Sequence, residues 1–551
     1  MVTSIISSER CTTADLIISP VLLGKSCYAC LPAGSSAPFS LKKDRSGSNL
    51  TFVCSADSVN LIGAHSKTHL ALQRDVSQHP LAVYEFLARL VLGYAGHRTP
   101  AYFTLIREAL LCDHSLDVLQ QALEARHERV VELLMKVVGV GLPFGTQAYR
   151  DALLKASSRG DTSIVRLLLE GDLERRTQSG KYGEALRAAS KHGHREVVEL
   201  LLGTGADIDD QDPNSGNALQ IACSNSWYHL ARMLLDSGAD VNSRGGVHGY
   251  ALHAASIQGH QSIVGLLLSR GADVNAEGGV HGYALQAASI QGHESIVGLL
   301  LAYGADINAV GGSHGCALQA ASNQGHESIV RLLLEHGADV NREGGVHGYA
   351  LHAASFEGHD SIVALLLAKG ADVNAKGGDY GYALQAASIE GHEDILLLLL
   401  RHGADVNAKG GEYAYALHAA STRGHDDIVQ ILIDHGAYVN ARGGDYGYPL
   451  QAASIFGHNR IIVLLLKHGA DVNMKGGVYG FALQAASASG YQHVVRTLLD
   501  YGADSKAQGG KYGTALSAAL DNKHGKIVEM LLDEEADTKA SLHASIMGQL
   551  I

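Results

Sequence analysis

The chain has 551 residues, 46% hydrophobic and 18% charged, which is the composition of a folded protein and too long for one hydrophobic core. Its formal net charge of −13 lacks the basic footprint of direct nucleic-acid binding and gains nothing from an anionic membrane surface. No run of about 18 apolar residues marks a membrane-spanning helix.

In chain order, residues 1–80 come first. They mix Ser, Gly, Pro and short apolar runs without a sustained period, so a poorly defined, partly disordered region is expected. Leu16, Ile17 and Ile18 form an apolar stretch with no basic residues leading into it, which does not read as an export signal. The seven cysteines, five of them lying between Cys11 and Cys112, are then expected to be reduced thiols of an intracellular protein. Gly24-Lys25-Ser26 has the ending of a phosphate-binding loop, but Ser19 stands where that motif needs its first Gly. Cys27 and Cys30 form a lone C-x-x-C with no second pair to complete a zinc site. Residues 81–112, containing LAVYEFLARLVLGYAGH and AYFTLIREALL, carry a helical pattern.

From there a repeat dominates. Paired glycines recur from Gly245-Gly246 through Gly278-Gly279 and Gly311-Gly312 to Gly509-Gly510, with a constant 33-residue step. The column of Ala251-Leu252 continues backwards through Ala218-Leu219, Ala185-Leu186 and Ala152-Leu153 at the same step, so residues 146–541 hold twelve such units. Residues 113–145 read as a degenerate first unit, and residues 542–551 as a capping half-unit. In the unit Gly245 to Glu277, ALHAASIQ predicts a short helix ended by Gly259. HQSIVGLLLSR predicts a second helix with a broad apolar face, closed by Gly271, and an extended loop then leads to the next unit. One unit cannot bury that leucine face alone, so neighbours must stack on it. The small pair Ala254-Ala255 permits the close approach of helices that stacking needs.

The period, the helix–turn–helix pattern, the Gly-His at the turn and the GADVNA loop together resemble ankyrin repeats, over about three quarters of the chain. The resemblance implies an all-α ankyrin-repeat solenoid of about 12–13 repeats with β-hairpin-like finger loops, and a protein-binding function. The family's T-P-L-H-x-A stretch is here Y-A-L-[HQ]-A-A, with Pro449 the only proline in its column, and a Gly pair replaces the Asp-containing finger. In this the chain resembles the long ankyrin arrays of filamentous fungi, where such tracts often follow a NACHT-type NTPase.

Three columns invite functional readings. The turn histidines, such as His194, His260, His293 and His326, recur at about 10 Å in a stack, whereas zinc needs ligands at about 2.0–2.1 Å. They read as residues that start the second helix and hydrogen-bond the loops. The finger column is His248, His281, His314, His347, Tyr380, Tyr413, Tyr446, Tyr479 and Tyr512. It reads as a partner-binding ladder, because Tyr is enriched at interface hot spots; the alternative is filler beneath the hairpins. A second row, Tyr250, Tyr283, Tyr349, Tyr382, Tyr415, Tyr448 and Phe481, adjoins the helix starts and reads as structural. The inter-helix turns vary, as in Ile257-Gln258, Phe356-Glu357, Thr422-Arg423 and Ile455-Phe456, which is where partner specificity is expected.

No nucleophile–base constellation stands apart from the repeats, and no cofactor or metal is expected. The reading is a non-enzymatic scaffold or adaptor, monomeric, intracellular in cytoplasm or nucleus, binding unidentified protein partners but neither nucleic acid nor membrane. Two alternatives are a nuclear transcription coregulator acting through a DNA-binding partner, and the sensor portion of a NACHT-type receptor.

Overall fold

The computed structural model describes residues 15–18, 39–43, 50–54, 115–125, 127–138, 146–173, 182–534 and 536. The Gly-Lys-Ser triplet, the Cys27/Cys30 pair, the helical pattern of residues 81–112 and the capping half-unit lie outside them. The chain divides into two compact units: residues 1–211 with 237–239, and residues 212–236 with 240–551.

In the first unit, strands β1 (Asp15–Ile18), β2 (Phe39–Lys43) and β3 (Leu50–Cys54) form an antiparallel sheet in the order β1-β3-β2. Asp15 pairs with Val53 and Phe39 with Cys54. The helices Ser115–Glu124 and Glu128–Glu132, the latter continuing into a π-turn at Leu133–Val138, occupy the segment read as a degenerate repeat. Two helix pairs follow: Gln147–Arg159 with Thr162–Leu173, and Gly183–Lys191 with Arg195–Gly203. Thr146 starts the first of these by accepting the Tyr149 N–H. Leu168, Leu186 and Leu201 lie in the core.

The second unit is a stack of such pairs, from Ala218–Ser224 with Tyr228–Asp236 to Ala515–Asp521 with the helical residues 525–534. In Ala251–Ile257 the Ala254 and Ala255 side chains are wholly buried, as are their counterparts in the following first helices. These helices therefore pack directly on one another. In Gln261–Ser269, Ile263, Val264 and Leu267 form the buried stripe, as the leucine periodicity predicts. Among the described residues, no helix is long and apolar enough to cross a membrane.

Three side-chain columns sew each unit to the next. Nε2 of His260 donates to the Ser224 carbonyl at 3.2 Å, and His293, His326, His359, His392, His425 and His458 repeat this bond 36 residues back. This agrees with the hydrogen-bonding role expected of the turn histidines. Each of these histidines also immediately precedes a second helix. On the loop side, Asn242 donates to the Gly271 carbonyl at 3.1 Å and accepts the Asp273 N–H at 2.8 Å. Asn275, Asn341, Asn374, Asn440 and Asn473 make the same pair of bonds.

The third column is the [HQ] position of the first helix, buried throughout. Gln451 Nε2 donates to the Met474 carbonyl at 2.9 Å and the Gly480 carbonyl at 2.8 Å, while its Oε1 accepts the Tyr448 N–H at 3.1 Å. One amide thus starts its own helix and anchors both ends of the next finger. Gln220, Gln319 and Gln484 do the same. In their units, which lack the proline that stands at Pro449, this amide supplies the helix-start device that the missing Thr-Pro removes. Gln286 and Gln385 give the two carbonyl bonds in the same way, and His253, His352 and His418 fill the other slots with a single ring N–H to give.

The fingers are tight hairpins, closed by backbone bonds such as Gly245 N–H to Gly249 O at 2.7 Å. The second glycine of nearly every pair is needed for close approach, Gly444 being the roomier exception. A Cβ on Gly279, at φ +66°, would sit 2.5 Å from the His248 carbonyl oxygen of the preceding finger. Ala414 takes a position that is glycine in the neighbouring fingers and adopts φ +69°. That conformation costs a non-glycine residue about 1–2 kcal/mol. Ala414→Gly should therefore raise stability by about 1 kcal/mol after the entropy cost of glycine. A higher urea midpoint is the expected reading; an unchanged one would mean that the strain is relieved elsewhere in the finger.

Candidate partner-binding surface

The ladder residues follow from the hairpin geometry. Each lies one residue before the closing position of the finger, with an exposed tip residue ahead of it: Val247, Val280, Ser313, Val346, Asp379, Glu412, Asp445, Val478 and Lys511. All nine ladder side chains are half-buried. The second aromatic row has a different setting. The Tyr250 ring lies against Gly278 of the next finger, where an added Cβ would meet it at 2.7 Å. Tyr349 meets Gly377, and Tyr448 meets Gly476, in the same way. This row fills the space between fingers and explains the first glycine of most pairs; Gly344 faces Val310 instead.

The ladder also meets the variable ends of the first helices, a convergence the sequence reading did not anticipate. Phe356 and Tyr380 stack with ring centroids 4.3 Å apart and planes 12° apart, and His347 stacks on Tyr380 at 5.6 Å. Asn323 Nδ2 lies 3.2 Å from Nε2 of His347 and 3.3 Å from Oε1 of Glu357. The Arg423 guanidinium lies over Tyr413 at 6.0 Å, and Tyr446 meets Phe456 edge-on at 5.5 Å. Farther along, Tyr479 and Tyr512 approach to 6.1 Å, and Lys511 lies over Tyr512 at 5.1 Å. Finger and turn form one strip because each turn neighbours the finger of its own unit, as Arg423 does Tyr413 and Phe456 does Tyr446, as well as that of the next, as Phe356 does Tyr380. Phe356 and Tyr380 stand most of a repeat apart along the chain, which hides their meeting from local periodicity.

The electrostatics differ along the strip. Burial lowers the affinity of His248, His281 and His314 for a proton, reinforced at His281 by His314 and His248. Burial also lowers that of His347, with His314 adding to the effect and the carboxylates of Glu357 and Asp379 opposing it. Around Tyr380, burial is the first cause of a raised phenol pKa; Asp379, Glu357 and Glu390 add to it, and Arg423 opposes it. Tyr446 is raised by burial and then by Tyr413, Asp445, Glu412 and Tyr479.

Among the described residues, no three of His, Cys, Asp and Glu come together as a metal-holding group. Cys223 and Cys316 are free and buried, and burial pushes both thiols away from the reactive thiolate.

No curated protein matches the chain. The family model for ankyrin repeats (3 copies) matches residues 119–212, 186–278, 280–344, 343–410 and 384–476. Those matches run through both units and through the turn histidines, most of the [HQ] column and most of the finger ladder. Ankyrin repeats generally mediate protein–protein interaction, and the chain belongs to the ankyrin-repeat family.

Proposed function

We propose that the chain is a non-enzymatic interaction scaffold or adaptor that binds partner proteins along the finger strip, through His248, His281, His314, His347, Tyr380, Tyr413, Tyr446, Tyr479 and Tyr512. The observation that carries this reading is the merging of the ladder with the variable turns into one half-exposed aromatic surface, typified by Phe356 on Tyr380. Rings fixed by neighbours lose little entropy on binding, and Tyr supplies both apolar area and a hydroxyl. The three sewing columns are consumed by internal hydrogen bonds, which leaves the strip as the adaptable face of a rigid frame.

The test is capture of partners in cells that make the protein. The wild type is compared with a folded variant in which Tyr380, Tyr413, Tyr446 and Tyr479 are Ala. Recovery of partners should fall more than tenfold, as loss of hot-spot residues implies. An unchanged set of partners would make the ladder structural filler.

A further inference from the structure

The strip is not chemically uniform. Its first fingers pair His248, His281 and His314 with the uncharged tips Val247, Val280 and Ser313, and the adjoining turns carry Gln258, Gln291 and Gln324. From His347 to Phe456 the same positions change character. The tips become Asp379, Glu412 and Asp445, and the turns bring Glu357 and Glu390. All five carboxylates are exposed, and none is in a salt bridge among the described residues. Arg423 is the one cation among the turn and tip positions of this segment. Lys409, on the other arm of its hairpin, lies over Tyr415 of the second row at 5.7 Å.

Between these carboxylates lie aromatic surfaces. The Phe356–Tyr380 stack has Glu357 beside it in sequence, Asp379 at its finger tip and Glu390 within electrostatic reach. Tyr446 and Phe456 form a second aromatic site, with Asp445 and Glu412 near the phenol. A ring with carboxylates at its rim suits a guanidinium, which stacks flat on aromatics and gives paired N–H donors to a carboxylate. Arg423 over Tyr413 already shows this contact within the chain.

Resting on the proposed function, we propose that the segment of the strip from His347 to Phe456 binds an extended, arginine-bearing segment of its partner. Successive fingers recur at about 10 Å and an extended chain advances about 3.3 Å per residue, so the arginines fall at every third position. The chain's net charge of −13 adds long-range attraction for such a basic segment.

The experiment uses the full chain and fluorescein-labelled ten-residue peptides, followed by fluorescence anisotropy. One peptide has Arg at every third position in a Gly/Ser background. A second has the same composition with its arginines adjacent, and a third has Glu for Arg. The spaced peptide should bind at least fivefold more tightly than the adjacent one, and the Glu peptide should not bind. The variant Glu357→Gln/Asp379→Asn/Glu390→Gln and the single variant Phe356→Ala should each weaken binding at least tenfold. Val280→Ser at an early finger should leave it unchanged. Absence of binding, or binding unaffected by these substitutions, overturns the proposal. If that happens while the four-tyrosine variant still loses its cellular partners, the strip remains the binding surface and only the arginine chemistry falls. If the peptide binds as expected but cellular partners are retained by that variant, the acidic segment is a peptide site and the wider ladder reading fails.

Discussion

Replacing Leu300 by Ala should lower stability by about 2–5 kcal/mol, the cost of removing a large side chain from a fully packed site. Leu300 is wholly buried in the helix Glu294–Ala302, on the stripe with Ile296 and Val297. Its neighbour Leu299 is only half-buried, so Leu299→Ala should cost clearly less. In a stack whose units touch only their neighbours, the damage should stay local. Urea unfolding is then expected to split into two transitions for Leu300→Ala, with hydrogen exchange accelerated around residues 284–335. Equal costs for the two leucines would contradict the assigned faces of this helix. Ala254→Leu, in the wholly buried small-residue row of the first helices, should overpack that row by about 1–3 kcal/mol.

Acidification should destabilise the array through its buried histidines. His253 and His418 are held neutral by burial, which lowers the pKa of each to about 4; the hydrogen bonds to the Gly282 and Gly447 carbonyls oppose the shift only in part. The positive charges of His281 and His248 near His253, and of Lys409 near His418, act in the same direction as burial. His352 is lowered for the same first reason. It faces the Ala375 carbonyl at Nε2, 3.0 Å away, and the His347 carbonyl at Nδ1, 3.1 Å away, yet a neutral ring donates to only one of them. The unfolded chain takes up protons near pH 6.5 and the folded one only near pH 4. Stability is therefore full above pH 6.5 and falls as the pH drops towards 4, at about 1.4 kcal/mol per pH unit for each of His253 and His418, with His352 adding in the same direction. At pH 5 the loss should be about 2 kcal/mol for each of His253 and His418. His253→Gln/His352→Gln/His418→Gln should keep neutral-pH stability, since Gln occupies the same slot elsewhere in the array, and should flatten the fall below pH 6.5. Parallel pH profiles for variant and wild type would place the acid sensitivity elsewhere.

How much of this was legible in sequence depends on the range of each interaction. The helix pairs and their closing glycines are local, so leucine spacing and the 33-residue step reveal them directly. The [HQ] column is visible as an alternation, but its partners lie 23 and 29 residues onward, as with Met474 and Gly480 for Gln451. Only the stacked structure brings those carbonyls to one amide. The glycine pairs likewise look like mere flexibility in sequence. Gly278 faces a tyrosine ring and Gly279 faces a neighbouring carbonyl, and neither place has room for a side chain. Tyr380 belongs to the ladder column and Phe356 to the variable turns; their stacking unites two columns that sequence spacing keeps apart. Before residue 115, the three strands pair segments that share no period with one another or with the repeats.

The central claim, that partners dock on the finger strip, is tested most directly by placing a photo-crosslinking p-benzoylphenylalanine at single positions in cells that make the protein. Tyr380, Tyr413 and Tyr446 sample the strip, while Tyr303 and Tyr501, exposed at the ends of second helices, sample a different part of the repeat. The account predicts crosslinked protein adducts from the three strip positions and none from the two helix ends. Adducts confined to Tyr303 and Tyr501 would contradict it and place the binding surface on the second helices.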